Sequence, residues 1–161
     1  MKRDRLQCVL FLAFILIATS SHADECSGRP ARYLPTGFVE NAGWHVDVYN
    51  ATDYGISLAC KGNDWMAFLQ RGIGTSKDGK PKWESIADLV LPPLKADETY
   101  VYFYCRKDGD EPDPSLIVIA KKTVGPEYTN VIQAWRANVK RGSFEQVPIS
   151  GISCENEGYG L

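Results

Sequence analysis

Four cysteines, Cys26, Cys60, Cys105 and Cys154, stand at separations of 34, 45 and 49 residues behind a short apolar leader, and this arrangement constrains the chain more than anything else in it. The leader opens on Lys2, Arg3 and Arg5, continues through apolar residues from Val9 to Ala18, and ends on Ser21-His22-Ala23. A basic start, a brief apolar run and small residues at the end are the pattern of a cleaved secretory signal, expected over residues 1–23. The apolar run covers only about half of a hydrocarbon core as a helix, so no stable membrane anchor is expected. Export delivers the chain to an oxidising compartment, periplasmic or extracellular, where an even number of cysteines pairs as disulfides. Zinc favours closely spaced ligand pairs, whereas these cysteines are far apart and His45 is the one imidazole past the leader. Neither a metal nor a cofactor is expected.

Sequence permits three ways of pairing four cysteines. Strand alternation puts Ile56, Leu58 and Cys60 on one face and Val101, Phe103 and Cys105 on another. Both middle cysteines then lie on apolar faces, which favours a Cys60–Cys105 bridge between strands and a Cys26–Cys154 bridge tying the ends together.

Residues 24–161 form one domain. The full chain has 161 residues, 44% of them apolar, with 18 basic against 20 acidic side chains and a net charge of −2. Removing the leader takes away three bases and one acid, leaving 138 residues and a net charge of −4. Such a length buries roughly two-thirds of its unfolded surface, enough for a core of its own. With no basic excess and no long run of one charge, the chain lacks the means to grip a phosphate backbone, so nucleic acid is not an expected partner.

Short alternating runs separated by turn residues fill the rest. Residues 24–42 hold Gly28, Pro30, Pro35 and Gly37 and read as an irregular lead-in. Trp44, Val46 and Val48 begin a β meander that turns at 50–55 and 61–64, with Trp65 to Gln70 as its third strand. Residues 72–82, with Asp78-Gly79, read as a long hairpin loop. Trp83, Ile86 and Leu89 fit one helical face, so a short helical turn is expected over 83–90. Residues 99–106 are the most β-prone run. Residues 115–121 are apolar on both faces, as a central strand is. A last hairpin pairs 130–139 with 144–149 around 140–143. Together these predict an all-β domain, a small disulfide-bridged β-sandwich or barrel with at most one short helix. The order Val48-Tyr49-Asn50-Ala51-Thr52, a Trp-bearing strand, Leu91-Pro92-Pro93-Leu94 and Glu98-Thr99 resembles immunoglobulin-like sandwich modules. The resemblance spans about a third of the chain and implies a fold without an activity.

Several segments invite a chemical reading. Gly74, Gly79 and Lys80 have phosphate-loop spacing, but Pro81 stands where a hydroxyl must reach magnesium, which leaves a solvated hairpin tip. Asp108, Asp110, Glu111 and Asp113 crowd one turn, yet an EF-hand starting at Asp108 fails at Pro112, Asp113 and Ile119. A looser calcium site stands beside a charged solvated loop as the reading of that turn. His45 alternates with Trp44 and Val46, so it faces outward, and no serine lies in a G-x-S-x-G turn.

Tyr100, Tyr102 and Tyr104 share one face of a strand. Exposed, three phenols at intervals of roughly 7 Å make an amphipathic stripe for sugar rings or a protein partner; packed inward, they are core. Arg106, Trp135 and Arg136 are the candidate anchors beside it, since Arg and aromatic residues dominate binding hot spots. The expectation is therefore an exported soluble binding protein, recognising a protein or carbohydrate partner in the envelope and acting in one form as an inhibitor. The alternative is a cell-envelope hydrolase using carboxylates, with His45 available to it.

Overall fold

The structure is a computed structural model and describes residues 26–160; the expected leader, 1–23, lies outside the described residues. Twelve strands and no helix make up the secondary structure of those residues. The expectation of an all-β sandwich holds.

Five strands form the first sheet in sequential order: β1 (Arg29–Pro30), β2 (Val39–Tyr49), β3 (Thr52–Lys61), β4 (Asp64–Thr75) and β5 (Pro81–Leu91). Each pairs antiparallel with the next, and short glycine- and Asn-bearing turns join β2 through β5 as hairpins. Asn50 and Ala51 connect β2 to β3 with φ of 50° and 58°, the mirror-turn geometry that matches strand twist. The lead-in is more ordered than its composition suggests, since it supplies β1 and the start of β2.

The second sheet has the order β11 (Ser143–Gln146), β10 (Val131–Asn138), β8 (Leu116–Lys121) and β6 (Glu98–Tyr102). The third is short: β7 (Cys105–Lys107), β12 (Ile152–Glu155) and β9 (Glu127–Tyr128). The layers stack with the second sheet in the middle. Ile56, Leu58, Ala67, Leu69 and Leu91 of the first sheet meet Ile117, Ile119, Trp135 and Ala137 of the second. On its reverse, Val101, Leu116, Val118, Ala120 and Ala134 pack on Ile152 and the Cys105–Cys154 pair. Strand β8 is thus covered on both sides, as its two apolar faces predict.

Two expectations are corrected. Residues 83–90 are not a helical turn but part of the long strand β5. Its register against β4 jumps from Leu69–Ala87 to Gln70–Ser85, leaving Ile86 as a bulge. A bulge breaks the period of two, and Ile86, Ala87 and Leu89 all reach the core, which mimics helical spacing.

The second correction is the disulfide pairing. The bridges are Cys26–Cys60 and Cys105–Cys154, not Cys60–Cys105 and Cys26–Cys154. Alternation places Cys105 opposite Cys60 only if 99–106 is one strand, and Phe103 interrupts it. The Tyr104 amide donates to the Tyr102 carbonyl at 3.1 Å, and Phe103 takes φ of 74°. This three-residue γ-turn ends β6 and swings Cys105 out of the second sheet into the third. There Cys105 lies directly opposite Cys154 in the β7–β12 ladder.

Candidate functional site

The six residues expected to form a binding face do not share one. Tyr100 and Tyr102 point between the first two sheets: Tyr102 stacks on Trp44 with ring centroids 5.0 Å apart, and Tyr100 lies 5.7 Å from Trp65. The Tyr100 hydroxyl donates to the Pro92 carbonyl at 2.7 Å, and burial pushes its pKa up to about 12. Burial raises the Tyr102 pKa as well, with Glu157 adding to it. Trp135 is 8% exposed in the same core. Arg136 is held by Asp113, with both Nε and Nη2 at 2.9 Å from one carboxylate oxygen. Arg106 is ion-paired to Glu155 and its Nε is buried. Tyr104 alone of the six is exposed, beside the γ-turn. Inward packing is thus the alternative that the tyrosine strand takes.

The other face of the first sheet carries the better site. After β1 the chain does not leave the surface. Residues 31–37 cross the outer face of the sheet as a strap, from the β2 edge towards β5. The Tyr33 hydroxyl donates to the Pro81 carbonyl at 3.1 Å, and the Ser85 hydroxyl donates to the Tyr33 carbonyl at 3.5 Å. Phe38 returns over β4 and meets Phe68 edge-on, with centroids 5.2 Å apart. The Cys26–Cys60 bridge fastens the strap's origin to β3. Gly28 makes this approach possible, because a Cβ there would lie 2.1 Å from the Glu40 carbonyl oxygen.

Between strap and sheet lies a cavity of about 910 Å³, within the range of small-ligand sites. Its floor is made of small residues in register: Gly43 faces Ser57, and His45 faces Gly55, which in turn faces Gln70. The Trp83 ring leans over this floor, 3.6 Å from where a Gly55 Cβ would stand and 3.9 Å from that of Gly72. Its ring forms a flat apolar wall.

Polar groups converge at the bottom. The Ser57 hydroxyl lies 2.7 Å from a Glu40 carboxylate oxygen and 2.9 Å from the Gln70 side-chain amide. Both partner atoms, Glu40 Oε1 and Gln70 Oε1, are acceptors, and the single Ser57 hydroxyl proton is shared between them. Ser57 is 2% exposed and Gln70 6%. A chain that keeps such an array beneath a roof, where apolar side chains would pack as well, holds fixed donors and acceptors facing a cavity.

His45 sits at the rim with its Nε2 3.4 Å from an Asp53 carboxylate oxygen, and both side chains are exposed. Ser57 is bonded to Glu40 rather than to His45, so no Ser-His-Asp relay is assembled. The phosphate-loop lookalike is the β4–β5 hairpin tip, closed by Ser76, Asp78 and Lys80 with Gly79 at φ of 79°. In the acidic turn, Asp113 is engaged by Ser115 and Arg136. Among the described residues no cluster of three His, Cys, Asp or Glu has metal-binding geometry, and no helix is long and apolar enough to cross a membrane.

Sequence reading missed the trough because its parts are read singly as turn glycines or polar strand positions. The available signal was Gly43, Gly55, Ser57 and Gly72 recurring in strands beside bulky residues, since glycine in a strand marks close approach of something else. Compared with known protein families, curated proteins and solved structures, the chain matches none.

Proposed function

We propose that this protein is an exported recognition protein, periplasmic or secreted, that holds a glycan in the trough under its strap. The observation that carries this reading is the array of half-buried Glu40 with buried Ser57 and Gln70 at the bottom of a cavity walled by Trp83. Sugars present alternating hydroxyls and an apolar ring face. Fixed donors and acceptors beside an aromatic wall match both at once. Two disulfides fit an oxidising compartment, and the leader sequence accounts for how the chain reaches one.

Hydrolysis by a carboxylate pair has less support. Both outcomes of glycoside hydrolysis use two acids within about 10 Å of each other. Glu40 is the single carboxylate among the described residues lining this cavity.

Titration calorimetry against neutral and acidic oligosaccharides tests the reading, with Trp83→Ala and Ser57→Ala as probes of the wall and the floor. Binding that both substitutions weaken at least about tenfold, without release of reducing ends, is the expected outcome. Binding indifferent to both would place the ligand elsewhere.

A further inference from the structure

The charge around the trough runs against that of the chain. The whole sequence is net negative, yet Arg29, Arg32 and Lys80 line the cavity against the single carboxylate of Glu40. Lys80 is held by Asp78 at 3.2 Å. Among the described residues, neither Arg29 nor Arg32 lies within ion-pair distance of a carboxylate, although Arg29 is directly opposite Glu40 in the β1–β2 ladder. Arg32 belongs to the strap and Arg29 to the edge strand β1 from which the strap springs, whereas Glu40, Ser57 and Gln70 form the floor. The two arginines therefore offer guanidinium forks to an anion, while the floor offers an acceptor and an amide to hydroxyls.

We infer that the trough selects an acidic sugar, a uronate-bearing oligosaccharide whose carboxylate meets Arg29 and Arg32 while its hydroxyls meet Glu40, Ser57 and Gln70. This rests on the glycan reading above and narrows it. A uronate is a pyranose with an acid on one edge and hydroxyls on the others. Seated with its C–H face on Trp83, it presents one polar edge to the arginines and another to the floor. A neutral sugar satisfies the floor and leaves the arginines to water. A simple anion does the reverse.

The test uses the leaderless chain and trisaccharides prepared from polygalacturonate, alginate and hyaluronan, each beside a twin whose carboxylates are reduced to alcohols. Linkage and ring are then constant and only the acid changes. At low salt, at least one acid member is expected to bind about tenfold more tightly than its reduced twin. Arg29→Ala with Arg32→Ala erases that margin and leaves the twin's affinity in place, and circular dichroism verifies the fold of the variant. Arg32→Lys alone recovers part of the margin, since charge is kept and the fork is lost.

Equal affinity for acid and twin, with both lost on Ser57→Ala, overturns acid selection and leaves a glycan site standing. A margin that survives the double arginine substitution overturns the assignment to Arg29 and Arg32. If no member of any pair binds, and neutral oligosaccharides fail as well, both this inference and the glycan reading fall.

Discussion

Strand β3 is buried along both faces, and the two are filled in opposite ways. Inward, Ile56 and Leu58, each 1% exposed, fill the space between the first two sheets with branched side chains. Outward, Gly55 and Ser57 lie beneath a strap, and a cavity remains. One face is buried by volume and the other by a lid. Close packing stabilises the first, as in any core. The second gives up dispersion contacts and holds polar groups in place, which contributes little to folding and a good deal to recognition.

The largest effects expected come from the two disulfides, and they separate the faces. In the chain-entropy picture, closing loops of 34 and 49 residues stabilises by about 4 kcal/mol in each case. Converting Cys26 and Cys60 to serine, or Cys105 and Cys154, should lower denaturation midpoints by similar amounts. Ligand binding should fail only in the first variant, because only that bridge anchors the strap. Binding that survives loss of the Cys26–Cys60 bridge would mean that the strap is held by Tyr33 and Phe38 without its covalent tether.

Next in size is Leu58→Ala, which empties a closed inner site and should destabilise by about 3 kcal/mol in urea unfolding. Native binding at temperatures where the variant remains folded is the companion expectation. A binding defect out of proportion to the unfolded fraction would show the two faces to be coupled through β3.

The inner face also has a pH signature. The Tyr100 pKa lies near 12 in the folded protein, above its ordinary value of 10, so the neutral phenol is the form the fold favours. Its contribution is complete below pH 10 and is lost as the pH rises through 12. Phenolate absorbance should therefore lag behind that of free tyrosine and then rise together with unfolding. Tyr100→Phe should reduce the alkaline loss of stability. A phenolate titration centred at pH 10 would mean that the ring is solvated.

How much of this was readable beforehand depends on how far a pattern persists along the chain. Residues 116–120 are five consecutive apolar residues covering both faces, and their central placement follows from that. Residues 83–90 were misread because one bulge at Ile86 erased the strand period. Cys105 was assigned the wrong partner because a γ-turn at Phe103, a bulky residue with no bias towards positive φ, has no local signal. The trough was least legible of all. It exists only where Gly43, Ser57, Gly55 and Gln70 align across three strands, and where the strap of 31–37 closes over them. Alignment and cover are tertiary facts.

On the outer face the effects on stability become small. Ser57→Ala removes one hydroxyl and leaves its Gln70 and Glu40 partners to the cavity, at a cost of about 1 kcal/mol. Mild destabilisation measured in guanidinium, with loss of binding, separates this position from Leu58 one residue away.

Gly43→Ala is expected to have the smallest stability effect and gives the sharpest view of the trough. Gly43 does not have a positive φ, so alanine is compatible with the strand and should recover roughly 0.5 kcal/mol of backbone entropy. Its Cβ would stand 2.9 Å from the Glu40 Oε1, the far end of a flexible side chain that can move aside. Moving it disturbs the bond to Ser57 and places a methyl group on the cavity floor. A protein that is as stable as the parent or slightly more so, yet binds its sugar several-fold more weakly, is the result that burial by a lid implies. If calorimetry instead finds affinity unchanged while the Glu40 carboxylate has shifted, the floor array does not hold the ligand, and the comparison between the faces of β3 reduces to one of packing alone.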